Sequence, residues 1–368
     1  MDLLSALPED IFTEVSTNLS AKDVLTASLV SKGWYEMFGQ SKKCMDKISA
    51  RYSNSNCKND FSSFLKSGRM YQNLIIGFHQ SRIKESGVEV NIREILKKFS
   101  KSIVTLETSH DFQRICDLPA LKELTFKNFL FLRNKRFANY FTKNGLLTKS
   151  TDLKKLDIRC GELDIRSQKL LVESIKNMNK LKSLTVNQLD VLQQLQATDF
   201  YFKLEELDLT GYRHSFWTKI DKIYDFLIIH RSSLKVVRVD KLRLEDIVFF
   251  LSEFPKLHTF HIRHISNHSK NLNVNMPSNT ALKKMIIACS VQSSNMRQKL
   301  SEMLVYCQNL KELKVHLLHI RFINVLPACT LLRKVEYCFL SKYTPPNQHE
   351  YIRNNGRIKF ISNPFSCI

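Results

Sequence analysis

Histidines at 258, 261, 264 and 268 are the residues whose types best suit a metal ion. Zinc needs ligands that converge into a closed shell. Residues three apart on a strand point to opposite faces, so His258 and His261 diverge and no metal site is expected. The chain has no His-Glu-x-x-His, no glycine-rich phosphate loop and no Gly-x-Ser-x-Gly elbow. Cys367 is a lone thiol near the C-terminus, too little to define a nucleophile. The sequence therefore predicts a non-enzymatic protein without a cofactor.

Binding chemistry is better represented. Tyr212, Arg213, His214, Phe216 and Trp217 directly follow a strand pattern, where a loop would meet a partner. Aromatic residues and arginine are favoured interface anchors, although Phe216 and Trp217 could equally staple the next helix. Residues 124–151 hold six Lys/Arg and no acid, with Arg133, Lys135, Arg136 and Lys143 interleaved with Phe137, Tyr140 and Phe141. Such a mixture can grip nucleic acid. The i, i+3, i+4 spacing of its aromatics is also that of a buried helical face, and this reading is preferred.

The elements that carry these residues come from one large domain or a few small ones, in a chain of 368 residues that are 43% hydrophobic. Nine Gly and eight Pro are too few for a linker-rich or disordered chain. No apolar run is long enough to span a bilayer, and Met1-Asp2-Leu3-Leu4 lacks the basic start of a secretory signal. The nine cysteines are scattered, with no Cys-x-x-Cys pair, which fits buried thiols in the cytoplasm or nucleus better than a disulfide framework. The net charge of +21 is uneven. Residues 1–50 carry five Lys/Arg and seven Asp/Glu, so the whole basic excess lies behind them. An excess of this kind invites an anionic partner without choosing among nucleic acid, lipid and protein.

The first forty residues read as three short helices. Pro8 suits a first helical turn, and Glu9 and Asp10 oppose its positive end. Ile11, Phe12, Val15 and Leu19 fall on one face. Ser20 with Asp23 forms a capping-box pattern ahead of Val24, Leu25, Ala27 and Leu29. A third helix starts between Ser31 and Trp34, with Gly33 a weak point for it. So small a unit often gains stability by docking against something else.

A second pattern, apolar-x-x-apolar-x-apolar, begins weakly at Tyr71-x-x-Leu74-x-Ile76 and Ile103-x-x-Leu106-x-Thr108. It is clear at Leu121-x-x-Leu124-x-Phe126, Leu153-x-x-Leu156-x-Ile158, Leu181-x-x-Leu184-x-Val186 and Leu204-x-x-Leu207-x-Leu209. Five more copies start at Leu234, Leu257, Leu282, Leu310 and Leu332. The mean interval is about 26 residues, within the range for leucine-rich repeats. Helical patterns lie between, notably at Ser167–Met178, Ile220–His230, Glu245–Glu253 and Met296–Tyr306. Short strands alternating with helices, none able to bury its own apolar face, predict a solenoid. A doubly wound α/β domain would want longer strands and a glycine-rich switch loop.

Alternation along a strand places the third, fifth and seventh positions of each unit on the concave face. Those positions carry Lys127, Lys155, Arg159, Arg238, Arg263, Lys284, Lys314 and Lys334. They also carry Glu107, Glu123, Asp157, Glu206, Asp208, Asp240, Glu312 and Glu336. The expected face is neutral. The second position collects Lys122, Lys154, Lys182, Lys235, Lys283, Lys311 and Arg333, a basic ladder along one rim. Solubility at the strand starts is its plainer account.

Leu7-Pro8, the Ile11-Phe12 pair and Val30-Ser31-Lys32-x-Trp34 occur in the order and spacing of an F-box. With the repeats behind it, the chain resembles the F-box/leucine-rich-repeat proteins. The resemblance implies an α/β architecture: a three-helix F-box at 1–40, a Ser/Asn/Lys-rich linker at 41–70, a degenerate leucine-rich-repeat solenoid at 71–340 with parallel strands inside and helices outside, and a C-terminal cap at 341–368. It implies a substrate receptor of a Skp–cullin–F-box ubiquitin ligase. Leu7, Pro8, Ile11, Phe12, Val15, Leu25, Val30 and Trp34 are then the candidate contacts to a Skp-type adaptor. Tyr212, Arg213, Phe216, Trp217, Arg238 and Arg263 are candidates for the surface that holds an unidentified, acidic protein target. The alternative is a repeat protein that binds RNA or an acidic protein outside degradation, with nucleic acid less favoured and no membrane.

Overall fold

The structure is a computed structural model that describes residues 8–53, 57–77, 87–109, 112, 115–129, 141, 143–160, 163–195, 202–211, 220–266, 279–288, 294–340 and 358–362. Its strands form one parallel sheet whose order is the order of the chain, β1 to β13. Each strand pairs with the next in sequence, with helices in the connections, which is the topology of a leucine-rich-repeat solenoid. The chain divides into two compact units, Met1–Leu181 and Lys182–Ile368.

The first unit opens with helices α1 (Glu9–Asn18), α2 (Ala21–Ala27), α3 (Lys32–Gln40) and α4 (Lys42–Met45). Strands β1 (Ser49–Ser53), β2 (Asn73–Gly77), β3 (Thr105–Thr108), β4 (Glu123–Phe129) and β5 (Lys155–Cys160) follow. They are joined by α5 (Cys57–Lys66), α6 (Val88–Lys98) and α7 (Leu146–Lys149), and α8 (Ile165–Lys176) comes after β5. The second unit holds β6 (Ser183–Val186), α9 (Leu189–Gln193), β7 (Glu206–Leu209), α10 (Tyr224–Ile229), β8 (Val236–Leu242) and α11 (Leu244–Glu253). It continues through β9 (Thr259–Ile265), β10 (Lys284–Ile287), α12 (Ser294–Val305), β11 (Glu312–Leu318), α13 (Ile320–Val325), β12 (Lys334–Leu340) and β13 (Lys359–Ser362).

Each of the eleven apolar motifs falls on one of the strands β2 to β12. The first, fourth and sixth positions are buried in the core, as at Leu121, Leu124 and Phe126 or Leu257, Phe260 and Ile262, except that Tyr71 of the first motif and Tyr337 of the last are half-buried. The second position carries a regular backbone bond between rungs. The carbonyl of Lys122 accepts from the amides of Lys154 and Lys155, and that of His258 from those of Lys283 and Lys284, at 2.8 to 3.0 Å.

The structure departs from the sequence reading in three places. The 41–70 stretch contains α4, β1 and α5 where a linker was expected, and β1 pairs in register with β2. Ala50 and Tyr52 of β1 are buried, but the first motif position there is Lys47 and hides the repeat. At the other end β13 pairs with β12, again without the leading leucine, since Arg357 stands there. The rest of the expected cap at 341–368 lies outside the described residues. Finally, Cys338 is disulfide-bonded, against the expectation of thiols throughout, while Cys44, Cys116, Cys307 and Cys329 are free. Such pairing depends on where the fold brings two Cβ atoms, which scattered spacing does not reveal.

Two buried polar groups position the second unit. Asn279 donates to the carbonyls of Leu251 and Phe254 at 2.9 and 3.3 Å and accepts from the amides of Ala281 and Leu282, fixing the turn into β10. Asp246, fully buried at the start of α11, accepts from Arg243 through both oxygens and from the Tyr224 hydroxyl at 3.0 Å. A buried carboxylate is tolerated there because its oxygens are matched by donors.

Candidate docking surfaces

The N-terminal helices enclose a small core of Phe12, Val24, Phe38, Cys44, Met45 and Ile48, with Leu19, Trp34 and Met37 packed against it. Phe12 and Trp34 meet the Phe38 ring at centroid distances of 5.2 and 5.9 Å. The Ser20–Asp23 capping box forms at the start of α2. The Ser31 side chain accepts from the Trp34 amide and starts α3, which runs on through Gly33 to Gln40.

The end of α1 is closed from a distance. The Lys47 ammonium donates to the carbonyls of Ser16, Thr17 and Leu19 at 2.8, 2.8 and 2.5 Å. A cation suits the negative end of a helix dipole and satisfies its orphan carbonyls. Arg69 bonds the Ser28 hydroxyl at 2.6 Å and lies 4.8 Å over the Tyr35 ring, tying α2 and α3 to the chain ahead of β2.

With that core filled, α1 and the α2–α3 turn leave large apolar side chains in solvent. Ile11 is 45% exposed, Val15 42%, Leu25 39%, Leu29 82% and Val30 64%. Among the described residues twelve large apolar side chains are exposed, and these five fall within residues 11–30. Exposed apolar side chains concentrated in one short segment, unlike single exposed leucines, suit a docking role. The candidate adaptor contacts thus separate. Phe12 is buried and Trp34 half-buried on Phe38, Pro8, Ile11, Val15, Leu25 and Val30 are exposed, and Leu7 lies outside the described residues. Leu29, the most exposed, was absent from the sequence-derived set. It lies in the turn after α2, beyond the helical spacing that picked out Leu25.

Residues 4–45 match the sequence profile of the F-box domain. The N-terminal module is an F-box. An F-box implies a Skp-type adaptor within a cullin ligase and is a non-catalytic module. No curated protein matches the chain. Among solved structures it is similar to a leucine-rich-repeat protein of Leptospira interrogans, with 14% identity over 86% of this chain and 90% of that one and a TM-score of 0.36. It is also similar to an internalin of Listeria monocytogenes, with 13% identity over 77% and 93% of the two chains and a TM-score of 0.33.

Behind the F-box, the charged face of the sheet is ion-paired. Lys127 meets Glu107, Lys155 meets Glu123, Arg159 meets Asp157, Arg238 meets Glu206 and Arg263 meets Asp240. Lys284 meets Glu312, and Lys314 and Lys334 share Glu336. Every cation expected on that face has a carboxylate within 4 Å. Each such pair adds little stability. Together they mean that an incoming anion must compete with carboxylates already in place. Of the expected target surface, Arg238 and Arg263 belong to this paired set, and Tyr212, Arg213, Phe216 and Trp217 lie outside the described residues.

Two other sequence candidates fall in the core or apart. Phe141 is buried edge-on against Phe126, with centroids 5.7 Å apart, and Arg133 to Tyr140 lie outside the described residues. Among the described residues no three His, Cys, Asp or Glu side chains gather to hold a metal ion. His258 and His261 are both held below the usual histidine range, chiefly by burial and then by neighbouring cations.

Proposed function

We propose that the chain is the substrate receptor of a Skp–cullin–F-box ubiquitin ligase, working in the cytoplasm or nucleus. Ile11, Val15, Leu25, Leu29 and Val30 dock on a Skp-type adaptor, and the repeats hold a target protein. Its contribution is proximity, which raises the effective concentration of target lysines near the transferring enzyme. The observation that carries this reading is the cluster of exposed apolar side chains within the residues that match an F-box. Burying each of them contributes roughly 1 to 2 kcal/mol by area.

Capture of a Skp-type adaptor by the full chain tests it. Ile11→Ser, Val15→Ser and Leu29→Ser together should abolish capture while lowering the thermal midpoint far less than a core replacement such as Phe12→Ser, because all three side chains lie at the surface. Replacing Phe12 or Trp34 would not be informative, since both pack in or on the core. Undiminished capture by the triple variant would sink the assignment.

A further inference from the structure

The chain's basic excess gathers at its C-terminal end. Residues 254–368 hold 16 Lys/Arg and four Asp/Glu, which is +12 of the total +21, and the 48 residues from Phe254 to Ser301 contain no acid. On the paired face Lys284 meets Glu312, and Lys314 and Lys334 share Glu336. The rim at the strand starts receives no such compensation.

On the earlier rungs Lys122, Lys182 and Lys235 share carboxylates, and among the described residues only Lys154, flanked by paired rungs, stands exposed without an ion pair. In the first unit Lys122 and Lys180 both meet Asp152, at 3.8 and 3.0 Å. In the second unit Lys182 and Lys235 both meet Glu205, at 2.8 and 2.6 Å, and these two hydrogen bonds hold its carboxyl down to about 2. From β10 onward the pattern stops. Lys283, Lys311 and Arg333 are exposed and make no ion pair among the described residues. They occupy adjacent rungs: the Lys311 amide donates to the Lys283 carbonyl at 2.8 Å, and the Arg333 amide to the Lys311 carbonyl at 2.9 Å. Strand spacing of about 4.8 Å makes this a row roughly 10 Å long.

We infer that Lys283, Lys311 and Arg333 form a binding rim for an acidic segment of a partner protein. Three like charges on long side chains, rooted about 4.8 Å apart, can spread to reach carboxylates or phosphates on alternate residues of an extended peptide, whose repeat is about 6.6 Å. Among the described residues of the connections that feed these strands, Tyr306 is the one exposed aromatic, short of the successive stacking platforms that single-stranded nucleic acid uses. Leu331 instead stands 40% exposed beside Arg333 and offers an apolar contact that suits a peptide. The inference rests on reading the repeats as a protein-binding surface, but it does not require the adaptor.

Fluorescence anisotropy on the full chain tests it, with three short labelled peptides that alternate alanine with glutamate, phosphoserine or glutamine, and a single-stranded oligonucleotide. The glutamate or phosphoserine peptide should bind at low salt, more weakly at high salt, and the glutamine peptide should not. Which acidic peptide binds tighter distinguishes carboxylate from phosphate recognition. Lys283→Ala, Lys311→Ala and Arg333→Ala together should weaken binding about tenfold, as three exposed pairs of roughly 0.5 kcal/mol would. Lys122→Ala, Lys182→Ala and Lys235→Ala remove the same charge from paired positions and should cost less than about twofold. Equal loss in both variants, or no acidic-peptide binding, would overturn the proposal. So would an oligonucleotide that binds more tightly than either peptide and depends on the same three residues. Adaptor capture should be intact in both variants, so failure of the rim and failure of the F-box reading are separately visible.

Discussion

The F-box and the repeats place their apolar and charged residues in opposite ways. The helices of residues 8–45 close a small core on Phe12, Val24 and Phe38 and still leave Ile11, Val15, Leu25, Leu29 and Val30 in water. The repeats behind them bury the first, fourth and sixth positions of nearly every motif and show charge outside. A surface of the first kind gains affinity from apolar area removed from water and is nearly indifferent to salt. A surface of the second kind, already ion-paired, favours selectivity and responds to ionic strength. The two regions are therefore built for different kinds of partner.

Substitutions can break that contrast. Phe260 is fully buried on β9 against Phe250 at 5.2 Å, and Phe260→Ala should cost about 3 to 5 kcal/mol in denaturant unfolding. Ile11→Ala on the F-box should change the same measurement by less than about 0.5 kcal/mol. If the two costs were similar, the exposed F-box residues would be core residues after all.

Acid should act on the repeats more than on the F-box. His230 is buried, stacks on Phe202 and accepts from the Leu204 amide, and burial followed by Lys203 lowers it from 6.5 to about 4. Above pH 6.5 both folded and unfolded forms are neutral there. Between 6.5 and 4 the unfolded chain holds a proton that the folded chain refuses, so stability falls as pH falls, by about 3 kcal/mol in all. His230→Leu should flatten that part of the stability–pH curve, and an unchanged curve would remove His230 as its cause.

Asp246→Ala deletes a buried carboxylate and strands its Arg243 and Tyr224 partners, with an expected loss of about 2 to 3 kcal/mol by thermal unfolding. A smaller loss is expected at Lys47→Met, which removes a cation from three α1 carbonyls while keeping its stem, at about 1 kcal/mol. Its sharper readout is amide exchange, which should rise at the end of α1 before it rises in β9.

Much of this was legible beforehand where one residue type repeats its role. Eleven motifs match eleven strands because leucine or its equivalent must fill the same buried place on each rung. The two end strands escaped notice because Lys47 and Arg357 stand where that leucine would be. The division of the F-box between core and surface was not legible, since Ile11 and Phe12 are adjacent and equally apolar, and only packing against Phe38 separates them. Neutrality of the charged face could be counted from sequence. Which lysine meets which carboxylate, and that the rim compensation ends before Lys283, required the register.

Lys47 has a consequence for dissection. It occupies the first place of the β1 rung while its ammonium closes α1, so one residue belongs to the opening repeat and to the F-box. Ile48 next to it lies in the F-box core, and Ala50 and Tyr52 lie under the sheet. Trimming at residue 40 would uncap α1 and remove Cys44, Met45 and Ile48 from beneath Phe12. The smallest autonomous F-box of this chain is therefore not its sequence motif: the severable piece must carry the first strand with it, and melting of α1 should report on β1 in the same transition.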